Sequence, residues 1–329
     1  MKNKKIICLI LVLALTITLS YATIAKKVER KYDLGVKFEK GVEYKLNSSI
    51  YQKVNQQMLG KNMAMEQTFD IGYTLKVKDI DSKNNYNLVM KYTKMDLQIK
   101  NIQNGSQGIN SQELNQKLNN EMKKISKAFL NKKITITVSN KGNIINIEGY
   151  EKLVEEILSD MEDNTMKEKV LKRIINKNFI KRNWKQPMGY LPDHSVSIGE
   201  SWENKFKMTD PLDITIITSY TLKDVKDDKI IIDSNSNIDV GNIEFKQEGM
   251  ELASNFNGNQ TGEIILDREY NWIDVATFNQ SISGKISVGM KNQDFKLPVK
   301  IEMTTDGKLV GEYTAPSAFQ KIINKIRFW

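Results

Sequence analysis

The chain carries a single histidine, and it stands between an acid and a hydroxyl: Asp193-His194-Ser195, inside the run GYLPDHSVSIGESW of residues 189–202. Those side-chain types are the acid, base and nucleophile of a hydrolase triad. A triad works because its three groups converge in space, whereas neighbours along an extended chain point their side chains apart. Adjacency therefore argues against joint action, and no Gly-x-Ser-x-Gly nucleophile elbow occurs in the sequence. Pro192-Asp193 starts a turn, Gly199 permits a second one before Trp202, and His194 is expected to be a bystander there. No residue is assigned a catalytic role.

Metal chemistry is the next possibility. Asp233, Asn235, Asn237 and Asp239, with Glu244 at the twelfth position, have the ligand spacing of a helix-loop-helix calcium loop. The sixth place holds Ile238, where that loop needs glycine, and Lys229 to Ile232 reads as strand rather than helix. Polar residues alternating on the wet face of a strand account for the pattern better. One histidine and one cysteine exclude the usual zinc and iron sites. Neither a phosphate-binding G-x-x-x-x-G-K-[ST] nor a G-x-G-x-x-G is present. No metal and no cofactor are expected.

Methionine suggests something else. Met63, Met65, Met90 and Met95 gather, with Phe69, in the first long strands. A flexible, polarizable thioether suits an apolar cavity holding a lipid-like ligand. The same residues also serve as ordinary packing under a helix. These five are the candidate pocket lining.

The elements that must position them are mostly strands. From Met63 to Val77 the odd positions are apolar, with only Gln67 interrupting, which describes a sheet with one wet face. Leu88, Met90 and Tyr92 begin a second strand, and the phase then slips to Met95, Leu97 and Ile99, which predicts a bulge near Thr93-Lys94. Residues 42–58 form a partner strand. Leu114, Leu118, Met122, Ile125 and Phe129 recur at helical spacing, as do Leu153, Val154, Ile157 and Leu158, and then Val170, Ile174, Ile175 and Phe179. Between the first two, Ile134–Val138 and Ile144–Ile147 make a hairpin turned by Asn140-Lys141-Gly142. After Pro187 the period of two returns to the end of the strand region, with a turn at Lys226-Asp-Asp-Lys229. GYTLKVKD at 72–79 and SYTLKDVK at 219–226 echo one another and suggest two similar halves.

Lys2, Lys4 and Lys5, an apolar run from Ile6 to Leu19 and the small-x-small Ser20-Tyr21-Ala22 lay out a signal peptide or an uncleaved membrane anchor over residues 1–25. Either reading places residues 26–329 outside the cytoplasm. Cys8 lies too early in the apolar run to be a lipid-attachment site. The formal charge is +9, and removing the leader's three lysines leaves a surplus of 6. Export sets nucleic acid aside as a partner; a lipid or an anionic envelope polymer is physically reasonable. The C-terminal segment 317–329 reads as a basic amphipathic helix.

The segment around His194 resembles the Pro-x-x-x-Val-x-x-Gly-(Asp/Glu)-x-Trp signature of an uncharacterised family of exported bacterial proteins, domain-of-unknown-function family 6263. The matching positions are Pro192, Val196, Gly199, Glu200 and Trp202. The Gly41-Val-Glu-Tyr44 opening and the strand–helix–strand order are similar to that family over most of the mature chain. Many members resemble lipoproteins, a feature this chain lacks, and the family brings no activity with it. The layout is also similar, at the level of fold alone, to open β-barrels with a helical plug that carry lipids or lipoproteins in bacterial envelopes.

The expectation is one α+β unit over residues 26–329. Long antiparallel strands form a curved sheet or open barrel, with sub-halves at 40–182 and 187–316 and helices inserted at about 110–182. The expected function is non-enzymatic binding of an apolar ligand or an envelope component. A surface hydrolase acting on wall or lipid material and a purely structural or adhesive module are the alternatives.

Overall fold

The alternation read in Met63 to Val77 becomes one face of a strand, and the same pattern repeats around a single sheet. The computed structural model describes residues 30–58, 61–103, 126–159, 188–208, 213–247, 250–290 and 296–314, with single positions between 116 and 124 and between 180 and 184. In chain order the strands are β1 (Glu43–Met58), β2 (Lys61–Ile80), β3 (Tyr86–Gln103), β4 (Lys133–Val138), β5 (Ile144–Glu148), β6 (Ser201–Met208), β7 (Ile214–Val225), β8 (Lys229–Gln247), β9 (Met250–Asp267), β10 (Ile273–Met290) and β11 (Lys296–Thr314). They form one antiparallel sheet in the order β5-β4-β3-β2-β1-β11-β10-β9-β8-β7-β6. The sheet is open, with β5 and β6 at its edges, and the first long strand pairs with the last, Tyr44 opposite Tyr313. Strands of 16 to 20 residues are unusually long, and β2 alone runs about 65 Å.

Turn chemistry sets where the strands reverse. Asp81 Oδ1 accepts from the amides of Lys83 and Asn85 at 2.8 and 2.9 Å, and Asn84 takes a φ of 61° between β2 and β3. The Asn140-Lys141-Gly142 turn forms as expected, with Gly142 at φ 74° and its amide donating to Ser139 O at 2.9 Å. The Lys226–Lys229 turn also forms, its end-to-end bond 2.8 Å long.

The expected bulge is present. Pairing passes from Gly72–Lys94 to Tyr73–Tyr92, leaving Thr93 unmatched. Gly72 makes room opposite it: a Cβ there would lie 3.1 Å from Thr93 Oγ1. The extra residue lets Tyr92 and Met95 both face inward.

Helices are small insertions. The described positions between 116 and 129 are helical, and Ala128 and Phe129 are buried. Helix α1 (Tyr150–Ser159) buries Leu153 and Ile157. Asn119 reaches β3 beyond the end of β4, its side-chain amide bonding both the N–H and the C=O of Ile99 at 2.8 and 2.9 Å, so a stretch of open strand edge is satisfied. Leu114, Leu118, Met122 and Ile125, the pattern from Val170 to Phe179, the segment 317–329 and the leader 1–25 lie outside the described residues.

The main core fills one end of the inner face. Tyr44 and Leu46 of β1, Leu75 of β2, Leu88 of β3, Leu222 of β7, Ile232 of β8 and Leu266 of β9 meet there. Leu34, Val36 and Phe38, from the segment preceding β1, pack with them. Phe38, Tyr44 and Trp272 contact edge to face or tilted, with centroids 4.8 to 5.6 Å apart. The echoed motifs lie at matching depth, Tyr73-x-Leu75 on β2 and Tyr220-x-Leu222 on β7, all four buried.

Candidate functional site

The run around His194 connects the helical region to β6 and makes a lock rather than a reaction centre. Val196 is fully buried and exchanges backbone bonds with Tyr32 at 2.8 and 3.0 Å, tying down the segment that precedes β1. Gly199 takes a φ of 87°, which only glycine adopts freely, and its amide donates to Leu222 O at 2.7 Å. Trp202 stacks on Tyr220 with centroids 5.9 Å apart and donates its indole N–H to Tyr190 O at 3.0 Å. Pro192 is buried beside them.

His194 faces Glu200, with Nε2 3.1 Å from Oε1. The other carboxylate oxygen of Glu200 accepts the Ser197 amide at 2.8 Å. The Ser197 N–H first, and His194 second, hold the Glu200 carboxyl below its ordinary range. Asp193 and Ser195 are not hydrogen-bond partners of the imidazole among the described residues, and the ring is 58 % exposed.

Asp233, Asn235, Asn237 and Asp239 occupy alternate positions of β8. Consecutive members of such a row stand about 6.6 Å apart along an extended strand and cannot close round one ion. Asp233 is instead paired with Lys223 at 3.1 Å, a lysine that also reaches Glu263 at 3.0 Å.

An apolar cavity lies on the inner face. It measures about 150 Å³ and is enclosed by side chains from eight strands, β1, β2, β3 and β7 to β11, which requires the sheet to curl round it. Leu46, Ile50, Phe69, Ile71, Met90, Ile264, Phe278 and Leu309 supply the apolar wall. Ile180 and Trp184, one helical turn apart, cover it, and the Trp184 indole is fixed by a 2.7 Å bond to Gly142 O. Among the five residues singled out in the sequence, Phe69 and Met90 line this cavity. Met95 packs at the margin of the main core, Met65 stands opposite Val54, and Met63 borders a separate polar cleft with Lys53 and Asn55.

Beyond the cavity a polar row crosses the same face. Register aligns Gln67, Gln52, Thr305, Gln280, Gln260, Ser236, Thr218 and Asn204 across β2, β1, β11, β10, β9, β8, β7 and β6. Gln67 bonds Gln52, which donates to Thr305 Oγ1 at 3.1 Å; Gln280 donates to Gln260 at 3.2 Å, and the Thr218 and Ser236 hydroxyls are 2.9 Å apart. A second apolar cluster of Ile238, Val240 and Ile282 lies past it. The interruption at Gln67 was the only local sign of this row. Its other members are scattered through the sequence without a periodic signal of their own.

Tyr73, Tyr92 and Tyr220 line the cavity, and Tyr190 lies close to Tyr73 and Tyr220. Burial raises the hydroxyls of Tyr73, Tyr92 and Tyr190 well above the ordinary phenol range and pushes Tyr220 up to about 12, so all remain protonated donors at neutral pH. Tyr190 donates to Asn271 O at 3.2 Å. The Tyr73 hydroxyl is buried with no hydrogen-bond partner among the described residues. Leaving such a group unpaired costs about 1–3 kcal/mol.

The described residues thus form an open antiparallel sheet curled round an apolar cavity with a neutral polar margin. The chain belongs to the Family of unknown function (DUF6263), whose model matches residues 83–273. No curated protein sequence matches it. Among solved structures, one described as "Lipid-protein interactions in lipovitellin" is similar with a TM-score of 0.45 and 10 % identity, over 86 % of this chain and 26 % of that one. The present chain thus spans about a quarter of the lipovitellin chain. OccK5 (OpdH) of Pseudomonas aeruginosa gives 0.21 and 4 % identity, over 83 % of this chain and 98 % of that one. An outer membrane channel from Pseudomonas putida F1 gives 0.20 and 6 %, over 84 % and 97 %. These scores are too low to set a fold or an activity for this chain.

Proposed function

We propose that this is an extracytoplasmic envelope protein that binds an apolar, lipid-like ligand on the inner face of its sheet and performs no covalent chemistry. The observation that carries the reading is the cavity of about 150 Å³, walled by aliphatic and aromatic side chains from eight strands with no charged side chain among its described lining. Pockets of this make-up hold ligands by apolar burial and orient them with a few polar groups. The volume is that of a benzene-sized body, so the cavity takes part of one chain rather than a whole multi-acyl lipid. The extracytoplasmic placement rests on the basic start and apolar run of residues 1–25.

The uncharged dye N-phenyl-1-naphthylamine tests the binding reading. Fluorescence enhancement by the wild-type protein, reduced about tenfold in affinity by Ala276→Phe, which fills the cavity, is expected. Absence of dye binding, together with absence of any lipid in mass spectra of protein purified from its native host, would overturn it.

A further inference from the structure

Along the strands the inner face runs from the main core to the cavity, then to the polar row, then to the second apolar cluster. Alternate residues of a strand share a face, and the row is one such residue deep. Ile50-x-Gln52-x-Val54 on β1 and Phe278-x-Gln280-x-Ile282 on β10 each set one amide between two apolar side chains, and Ile50 and Phe278 line the cavity. The packed core fills the other end, so a ligand longer than the cavity leaves it across the row. All eight members of the row are Gln, Thr, Ser or Asn, and none carries a charge. A carboxylate or phosphate lying there would meet no cation, and a plain hydrocarbon would strip water from the amides and return no hydrogen bond. Gln260, half-buried, is the junction, since it lines the cavity and belongs to the row. Its side-chain carbonyl accepts from Gln280 at 3.2 Å, while its amide nitrogen is accessible and donates to nothing among the described residues. A free donor therefore stands where a chain leaving the cavity first meets the row.

We propose that the ligand is an uncharged molecule with an ester or amide linkage between two apolar arms. The end of one arm fills the cavity. The linkage lies outside it, on the row, with its carbonyl oxygen accepting from Gln260. The other arm crosses onto Ile216, Phe256 and Met303, the partly exposed margin of the second cluster. This rests on the apolar-ligand reading above. It adds where the polar group of the ligand must sit, in the middle of the molecule rather than at an end.

Displacement of N-phenyl-1-naphthylamine from the full-length protein at pH 8 separates the two ideas. The competitors are hexyl hexanoate, methyl undecanoate and lauric acid, isomers with the polar group in the middle, near one end, and at one end and ionised. Each is kept below its solubility limit. Hexyl hexanoate is expected to displace the dye at about tenfold lower concentration than either of the others, which must set their polar group against an apolar wall. Gln260→Met keeps the length of the side chain and removes its donor, and is expected to bring hexyl hexanoate within about twofold of methyl undecanoate. Equal or better displacement by methyl undecanoate or laurate overturns the mid-linkage proposal and leaves the apolar-ligand reading standing, a comparison that needs only the wild-type protein. A folded Gln260→Met protein that keeps the tenfold preference overturns it as well. Absence of dye binding and of any co-purified lipid overturns both.

Discussion

Glu200 rather than His194 holds the turn into β6 together, and the two side chains can be separated experimentally. Glu200 closes an amide of its own turn through Ser197, whereas His194 only adds an exposed partner to the same carboxylate. Glu200→Gln is expected to lower the melting temperature at neutral pH, and His194→Ala to leave it nearly unchanged. A group whose carboxyl is depressed by folding stabilises above its unfolded value, 4.5 for Glu200, and ceases to do so as pH falls through its folded value. The gap between wild type and Glu200→Gln should therefore close below pH 4.5 in melts followed by circular dichroism. Gly199 tests the backbone alone. A Cβ there meets nothing within 4 Å, so Gly199→Ala is expected to cost about 1 kcal/mol through its φ of 87° and nothing through sterics. Gly199→Asn, a residue that tolerates this conformation, should cost less.

The bulge in β3 is the element-scale counterpart. Because Thr93 is the unmatched residue, deleting it leaves Tyr92 and Met95 facing inward and converts the strand to regular pairing. Deleting Thr74 from β2 is a different event, since it puts either Tyr73 or Leu75 on the wet face along with everything beyond it. Each large apolar side chain so exposed forfeits about 1.5–3 kcal/mol. The Thr93 deletion should stay soluble with a far-ultraviolet spectrum like the wild type, and the Thr74 deletion should not fold. Equal behaviour of the two would show that the bulge does not set the register. The bulge was legible from the phase slip between Tyr92 and Met95, because an extra residue is the one way to keep both inside. The continuation of β8 past Asp239 to Gln247 was not, since the Asp and Asn of its wet positions and the inward Ser234 and Ser236 have low strand preference on their own.

At the scale of the whole molecule, the buried tyrosines link the core to pH. Burial raises the phenols of Tyr44, Tyr73, Tyr92 and Tyr190 far above 10.0 and that of Tyr220 to about 12. A group whose folded value is raised contributes its full stability below the unfolded value and loses it as pH rises. The melting temperature is therefore expected to hold up to about pH 10 and fall steeply beyond it, with phenolate absorbance from these residues appearing together with unfolding rather than before. Early phenolate absorbance from a still-folded protein would mean that the inner face is open to water.

The sequence contained the alternation that makes the strands, the turns at 140–142 and 226–229, the bulge, helix α1 and the mismatch between an adjacent Asp-His-Ser and a working triad. All of these are local, decided by side-chain periods and backbone preferences within a dozen residues. The cavity and the polar row belong to the tertiary structure. Gln67 and Thr305 stand one strand apart on either side of Gln52 although 238 positions separate them in the chain. Only the register of a sheet whose first long strand pairs with its last brings such residues into one row, and only the curl of that sheet brings apolar side chains from eight strands together round one cavity, with Thr218 and Gln260 of the row at its margin.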